Sequence, residues 1–384
     1  MKKIKKQKLK ILELTNFSAG ICGVWQRVRQ ESIELSRKGY EVRIFSSNAV
    51  KGSNELAPGE DKIGKIKIKR FPFKKIGGES FLSWKFEREA LEFKPNIIIA
   101  HAYRHLHTTK ALKVAKELKK QGNECKTILV THAPFIENNK TRSFPAKIIV
   151  SFYDKLIAPR ALKKFDKIIA ITNWEIPYLL KLGCEKEKIT YIPNGLPEEF
   201  FKTKREKAKK NTNLFLGRIS PIKSLEVLIK AVSLLGKNIN LDVVGPFEEN
   251  YGNKIKNLVK DLSLEKQIKF HPAIYNVNEK ISIIDKHEIF VLPSKREAMP
   301  QVLLEALARG KIVVSSATQG GKEIINPKNG FLFDIGNEKQ LAELIKKIQK
   351  MNEKEKSKIR KEAINSAKKF AWKKLIKDLE KSFS

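Results

Sequence analysis

The 384-residue chain carries 78 Lys and Arg against 42 Asp and Glu, a formal charge of +36, with 41% hydrophobic residues. That length and apolar content suit two α/β domains of ordinary size, each with its own core. The charge favours an anionic partner, whether a phosphate-bearing substrate, a lipid surface or nucleic acid. Three widely spaced cysteines, Cys22, Cys125 and Cys184, exclude a disulfide framework and a CxxC metal site, and point to a reducing cytosol.

The basic opening, MKKIKKQKLKILEL, has an apolar run too short for a signal-peptide core, and no stretch reaches the length of a membrane-spanning helix. Any work at a membrane is therefore expected on its surface, from the cytoplasmic side. Residues 9–14 read as a first strand, followed by the loop TNFSAGICGV with Gly20 and Gly23, and a helix over about 25–37. A Gly-containing turn there lets backbone approach a phosphate closely, although a plain tight turn explains it as well. Further strands fall at 40–46, 66–71, 96–101 and 127–132, with a helix over 82–93. His101, His105 and His107, spaced by four and two without carboxylate or cysteine neighbours, read better as a helix start with solvated histidines than as a metal site.

His132 ends the strand over 127–132, where it is either a satisfied loop histidine or a functional one. Residues 140–167 mix eight basic side chains with Phe144, Ile148, Ile149, Phe152, Tyr153, Leu156 and Ile157. That mixture suits a basic amphipathic helix lying on anionic lipid, or a solvated basic face over an ordinary core stripe. After strands at 167–172 and 189–193 the chain reaches IPNG and a lysine-dense linker over 202–213.

A second α/β set begins at 214–216 and runs into GRISPIKSLEVLIKA. Arg218 and Lys223 follow a strand end and precede a helix, so two cations and free helix N–H groups converge, as phosphate binding demands. Strands at 240–244 and 268–271 lead to the most informative stretch, 286–321, KHEIFVLPSKREAMPQVLLEALARGKIVVSSATQGG. It reads as strand, loop, helix, strand, loop, with Pro300 at a first helical position and Gly310 as the stop. Glu297 in the loop and Glu305 on the helix bracket seven residues, at the strand end where ligands of open α/β sheets bind. A strand at 330–333, a helix over 338–350 and a C-terminal helix from Phe370, Ala371 and Trp372 complete the pattern.

The string of Pro-Ser, Glu297, seven residues, Glu305-Ala, Gly310, strand and Gly320-Gly321 resembles the donor-sugar signature of retaining GT-B glycosyltransferases, the large family 4. The resemblance covers nearly the whole chain and is strongest over 214–334. It implies two Rossmann-like, doubly wound parallel-sheet domains facing a cleft: an acceptor-binding domain over 1–196, joined by a C-terminal helix at 366–384, and a donor-binding domain over 197–365. IPNG would be the junction, with Pro197 standing where an Asp is usual. The implied reaction moves a sugar from a nucleotide-diphosphate donor to a hydroxyl acceptor, with a lipid-linked glycan preferred, and needs no metal; the chain lacks an Asp-x-Asp pair.

By the same resemblance Arg218 and Lys223 hold the leaving diphosphate, helped by the Gly20 to Gly23 turn, although Ser224 replaces the Gly that normally follows that Lys. Glu297 would hold sugar hydroxyls and Glu305 the ribose hydroxyls, with Met299, Pro300, Gln301 and Val302 lining the donor site, and His132 would position the sugar. Two alternatives remain at this stage, a nucleotide-sugar epimerase of the same fold and a basic nucleic-acid-binding protein. No helix-turn-helix, RRM or zinc pattern supports the second.

Overall fold

The computed structural model describes residues 9–20, 22–77, 81–135, 148 and 150–383. They form two compact units, the first running to Gly195 and taking back the segment from Trp372, the second comprising Leu196–Ala371.

In the first unit the strands are β1 (Lys10–Phe17), β2 (Glu41–Ser47), β3 (Glu60–Ile63), β4 (Ile66–Phe71), β5 (Phe73–Lys75), β6 (Leu82–Trp84), β7 (Ile97–His101), β8 (Lys126–Val130), β9 (Lys167–Ala170) and β10 (Ile189–Tyr191). Eight of them make one sheet in the order β10-β9-β8-β7-β1-β2-β4-β3, and only β3 is antiparallel to its neighbour. Strands β1 and β7 are buried almost throughout, as expected for parallel strands covered on both faces. The direction of strand progression reverses between β1 and β7.

Two expectations fail here. Residues 82–84 are a strand pairing with β5, and the helix covers only Glu87–Phe93. The apolar Leu82 and Trp84 pack into the core on alternate positions, a period of two rather than 3.6. His101 and His107 are not solvated: they are 0% and 1% exposed.

The second unit holds β11 (Thr212–Leu216), β12 (Asn240–Val244), β13 (Ile268–His271), β14 (Ile289–Leu292), β15 (Ile312–Ser316) and β16 (Gly330–Phe333). Their order is β13-β12-β11-β14-β15-β16, all parallel, so the reversal lies between β11 and β14. An open α/β sheet binds its ligand outside the carboxyl ends of the strands at such a reversal. At the opposite end of β14 charged groups are clamped: Arg309 is bonded to Asp285 at 2.5 and 2.9 Å, and Lys356 and Arg360 reach Glu288 at 2.8 and 3.3 Å. The long Glu353–Ala367 helix that supplies Lys356 and Arg360 opens with a capping box, Asn352 and Glu355.

The last helix, Trp372–Lys381, belongs to the first unit. Trp372 is fully buried; its indole N–H donates to Gln30 at 2.9 Å, and the Arg27 guanidinium lies 5.4 Å from its ring. Gly195 of IPNG exists for this packing, because a Cβ there would meet the indole at 2.6 Å. Of the basic stretch 140–167, positions 140–147 and 149 lie outside the described residues. Of the remainder, 148 and 150–162 are helical, with Ile148, Phe152, Leu156 and Ile157 exposed, and 163–166 turn the chain into β9.

Candidate active site

Loops at the carboxyl ends of β11 and β14 bring two of the expected residues into contact. After β14, Pro293 and Ser294 turn the chain, and the loop carries Glu297 to the start of the Gln301–Ala308 helix. After β11, Gly217 lets the backbone run tight against Gly245, where any Cβ would lie 1.9 Å from the Gly217 carbonyl oxygen. Arg218 then leads to a single 3-10 turn, Pro221–Lys223. The Lys223 ammonium donates to Glu297 Oε1 at 2.6 Å, and the Ser294 hydroxyl donates to the same oxygen at 2.6 Å.

The glycine pair also has a steric reason. Gly320 N–H donates to the Glu297 carbonyl at 3.0 Å, and a Cβ on Gly320 would sit 2.6 Å from the Ala298 carbonyl oxygen. A Cβ on Gly321 would sit 2.5 Å from the Ser316 carbonyl oxygen. The Gly-Gly step thus lets the Gln319–Ile324 helix press on the loop that aims Glu297.

Ser224, standing where a Gly is usual, adopts φ +51°, in the left-handed region that glycine enters without strain. Its hydroxyl is bonded to Glu226 at 3.1 Å, the local hydrogen bond that lets a short polar side chain tolerate this conformation. The N-terminus of the Leu225–Ser233 helix is less open than expected: Leu225 N–H is taken by the Tyr251 hydroxyl at 2.9 Å. Pro300 is the cap rather than the first helical residue, with ψ 108° and a carbonyl that accepts from Leu303 N–H. Met299 is buried; Gln301 and Val302 are half-buried on the first turn.

Glu305 lies further along the same Gln301–Ala308 helix, 3% exposed, with Oε1 accepting from Lys280 at 3.0 Å. Its Oε2 is buried with no hydrogen-bond partner among the described residues. Arg218 is paired with Glu248 at 3.1 Å. Lys223 and Arg218 therefore each rest on a carboxylate of the same unit. Lys280 and Glu248 are not singled out by the sequence, since each lies far along the chain from its partner, whereas Ser294 belongs to the Pro-Ser that opens the signature.

Gly20, Gly23 and His132 lie in the first unit. Gly20 has φ +81° and packs on Lys51, whose carbonyl oxygen would be 2.5 Å from an added Cβ. Gly23 is exposed with open space where a Cβ would go, so only Gly20 is required by local packing. His132 follows β8 at φ +58°, and Ala133 at +47°; Ala102 and Arg104, after β7, are also left-handed. Four non-glycine residues thus adopt left-handed conformations at two adjacent strand ends.

Behind His132 lies a buried polar chain. His132 Nε2 is 3.0 Å from His101 Nδ1, and His101 Nε2 is 2.7 Å from Glu13 Oε2. Arg27 and Glu31 from the Gly23–Arg37 helix complete the cluster, bonded at 3.0 Å, and Arg27 also donates to the Ile192 carbonyl at 2.9 Å. Burial pushes the Glu13 carboxyl well up, with Glu31 adding to it, and pushes His101 and His132 well down. One signal was available in the sequence: Glu13 is a lone carboxylate within the apolar strand KILELTNF.

Comparison with known proteins identifies the family. The family described as Glycosyl transferases group 1 matches residues 197–370, and that described as Glycosyltransferase Family 4 matches 21–200. An uncharacterized glycosyltransferase of Haemophilus influenzae is 26% identical, over 80% of this chain and 81% of its own. The capsular polysaccharide biosynthesis glycosyltransferase CapH of Staphylococcus aureus is 23% identical, over 83% and 85%. HepE from Anabaena, solved with UDP and glucose, superposes with a TM-score of 0.73 at 17% identity, over 97% of this chain and 99% of its own, and so shares the fold. Neither the epimerase nor the nucleic-acid reading gains support from these matches. With two family descriptions in succession along the chain, glycosyltransferase relatives over most of its length and the matching fold, the chain belongs to the group 1 glycosyltransferases of the GT-B fold.

Proposed function

We propose that this glycosyltransferase moves a sugar, with retention at the anomeric carbon, from a nucleotide-diphosphate donor held by the second unit to a glycan hydroxyl held by the first. The observation that carries the reading is the triad at the β11/β14 reversal, Lys223 and Ser294 both bonded to Glu297 Oε1 at 2.6 Å. The leaving diphosphate gains negative charge as the glycosidic bond breaks, and Lys223 and Arg218 are the cations that stabilise it. Glu297 accepts from sugar hydroxyls, and the unpartnered Oε2 of Glu305 accepts from the ribose. His132 orients the sugar, and the departing phosphate takes the acceptor's proton, so no protein nucleophile is required.

HepE's complex with UDP and glucose supports a nucleotide-sugar donor, and CapH's role in capsular polysaccharide supports a glycan acceptor. The exposed Ile148, Phe152, Leu156 and Ile157, interleaved with Lys155, Arg160, Lys163 and Lys164, suit peripheral contact with anionic lipid, where a lipid-linked acceptor would reside. No helix of the described residues is long and apolar enough to cross a membrane. A thermal-shift screen of UDP, GDP, ADP and their sugars tests the donor, because a ligand bound only by the native state raises apparent stability. If none stabilises the protein, the reading fails. Proton NMR of the product's anomeric signal tests retention.

A further inference from the structure

The buried chain behind His132 has more structure than a histidine needs to stay in place. Glu13 comes from β1 and His101 from the last position of β7, the two strands between which the first sheet reverses. Glu13 and His101 are both 0% exposed, while His132 is half-buried and its Nδ1 has no hydrogen-bond partner among the described residues. The line Glu13 Oε2, His101 Nε2, His101 Nδ1, His132 Nε2, His132 Nδ1 therefore runs from the core to the surface through two hydrogen bonds of 2.7 and 3.0 Å.

We propose that Glu13, His101 and His132 form a proton relay in which the buried carboxyl decides whether His132 presents its outward nitrogen as a donor or as an acceptor. The bookkeeping has two states. In the first, Glu13 is a neutral acid donating to His101 Nε2, His101 Nδ1–H donates to His132 Nε2, and His132 Nδ1 carries an outward N–H. When a proton leaves Nδ1 of His132, the His101 Nδ1 proton passes to His132 Nε2, and the Glu13 proton passes to His101 Nε2. Glu13 then bears the negative charge, and His132 Nδ1 is a bare acceptor. No oxidant, metal or extra base enters. Both rings stay neutral in both states, so the outward nitrogen changes role without an imidazolium forming.

Two observations place the proton on Glu13 at rest. Glu13 Oε1 is buried with no hydrogen-bond partner among the described residues, a cost that falls when the group is a neutral acid. The neighbouring cation is already committed: Arg27 is bonded to Glu31 at 3.0 Å. Burial raises Glu13 and lowers both histidines, the direction the first state requires. The other titratable groups facing the line are Arg27 and Glu31 on the Gly23–Arg37 helix and His105 and His107 beyond β7. His107 is tied to the His101 carbonyl at 2.7 Å, and His105 to Asn16 at 2.9 Å. A metal is the rival use of Glu13, Glu31 and His101, whose ligand atoms lie within 4.8 Å of one another. Against it, Oε2 and Nε2 already face each other at hydrogen-bond distance, and a guanidinium occupies the Glu31 side.

The consequence for transfer rests on the reading of His132 as a sugar-orienting group, but the relay itself does not, and the experiment separates them. The full chain, labelled with 15N in its 6 histidines, is titrated without substrate while ring 15N shifts report each tautomer. The relay predicts that His132 and His101 exchange tautomers together, with one midpoint, and without imidazolium shifts. Glu13→Gln abolishes that joint titration, and His101→Asn uncouples His132 from it. A His132 tautomer that never changes, or that changes alike in Glu13→Gln, overturns the relay, as does stabilisation of wild type by Zn2+ or Mn2+ that Glu13→Gln loses. The wild-type titration alone can refute the idea if a variant fails to fold. With a donor in hand, Glu13→Gln is expected to flatten the pH profile of kcat more than it changes KM. Joint titration without any transfer activity would sink the functional reading and leave the relay standing.

Discussion

Lys223 and Glu297 make opposite demands on nucleotide binding, and their contact fixes how each variant should behave. The ammonium sits 2.6 Å from Glu297 Oε1, with the side chains 20% and 10% exposed. A charged hydrogen bond to a diphosphate is worth about 1.5–3 kcal/mol, so Lys223→Ala should weaken a nucleoside diphosphate by roughly 10- to 150-fold. Glu297→Gln should not: it removes the carboxylate that competes for Lys223, and free diphosphate should bind as well as to wild type or better. The same Glu297→Gln should weaken the matching nucleotide sugar by about tenfold or more, because sugar hydroxyls lose a charged acceptor. Isothermal titration calorimetry with the diphosphate and its sugar, on both variants, reads all four values. In the double variant the losses for nucleotide sugar should fall short of additive by about 1 kcal/mol or more, the behaviour of residues in contact. Lys223→Ala binding diphosphate within twofold of wild type would refute the assignment. So would Glu297→Gln weakening free diphosphate as much as Lys223→Ala does.

Glu248→Gln should free Arg218 and tighten diphosphate binding; the pair is partly exposed, so the gain is small, about 0.2–1 kcal/mol, and weaker binding by the same calorimetry would contradict it. Glu175 is fully buried and its carboxyl is pushed up to about 7, chiefly by burial. The folded state therefore keeps a proton that the unfolded chain has lost, and this stabilisation, complete below about pH 4.5, disappears as pH climbs through 7, roughly 3 kcal/mol in all. Glu175→Gln should flatten that window. All 4 tryptophans, Trp25, Trp84, Trp174 and Trp372, lie in the first unit, so urea unfolding followed by tryptophan fluorescence isolates the effect. Asp285→Asn strands the fully buried Arg309 and should cost the second unit about 3–5 kcal/mol. Circular dichroism should register that loss while tryptophan fluorescence does not, and a cost below 1 kcal/mol would mean Arg309 finds other partners.

What the sequence disclosed was whatever lay close together along it. Glu297, Glu305, Gly310 and Gly320 sit within one strand-loop-helix-strand unit, so their spacing carries their geometry. The short apolar runs around them identify strands buried on both faces. The Glu13, His101 and His132 line was illegible as a constellation, because sheet order and not spacing makes β1, β7 and β8 neighbours. The three histidines of 101–107 were placed in solvent for a related reason: a polar side chain looks exposed until its buried partner is known. Ser224 shows the reverse case, where a missing glycine warns of strain and only the Glu226 bond reveals how it is met.

Strand β14 is held at one end and works at the other. Asp285 and Glu288, before its first residue, are locked by Arg309, Lys356 and Arg360, whereas past its last residue Glu297 accepts from both Ser294 and Lys223. Four residues of buried apolar strand, Ile289–Leu292, insulate the two ends. Residues of the loop that carries Glu297 can thus be exchanged with little penalty to the anchoring of the strand, and the anchor can be reinforced without touching that loop. A lineage that retools its sugar, or an engineer who does so, starts from a scaffold whose strength is stored away from the part being rewritten.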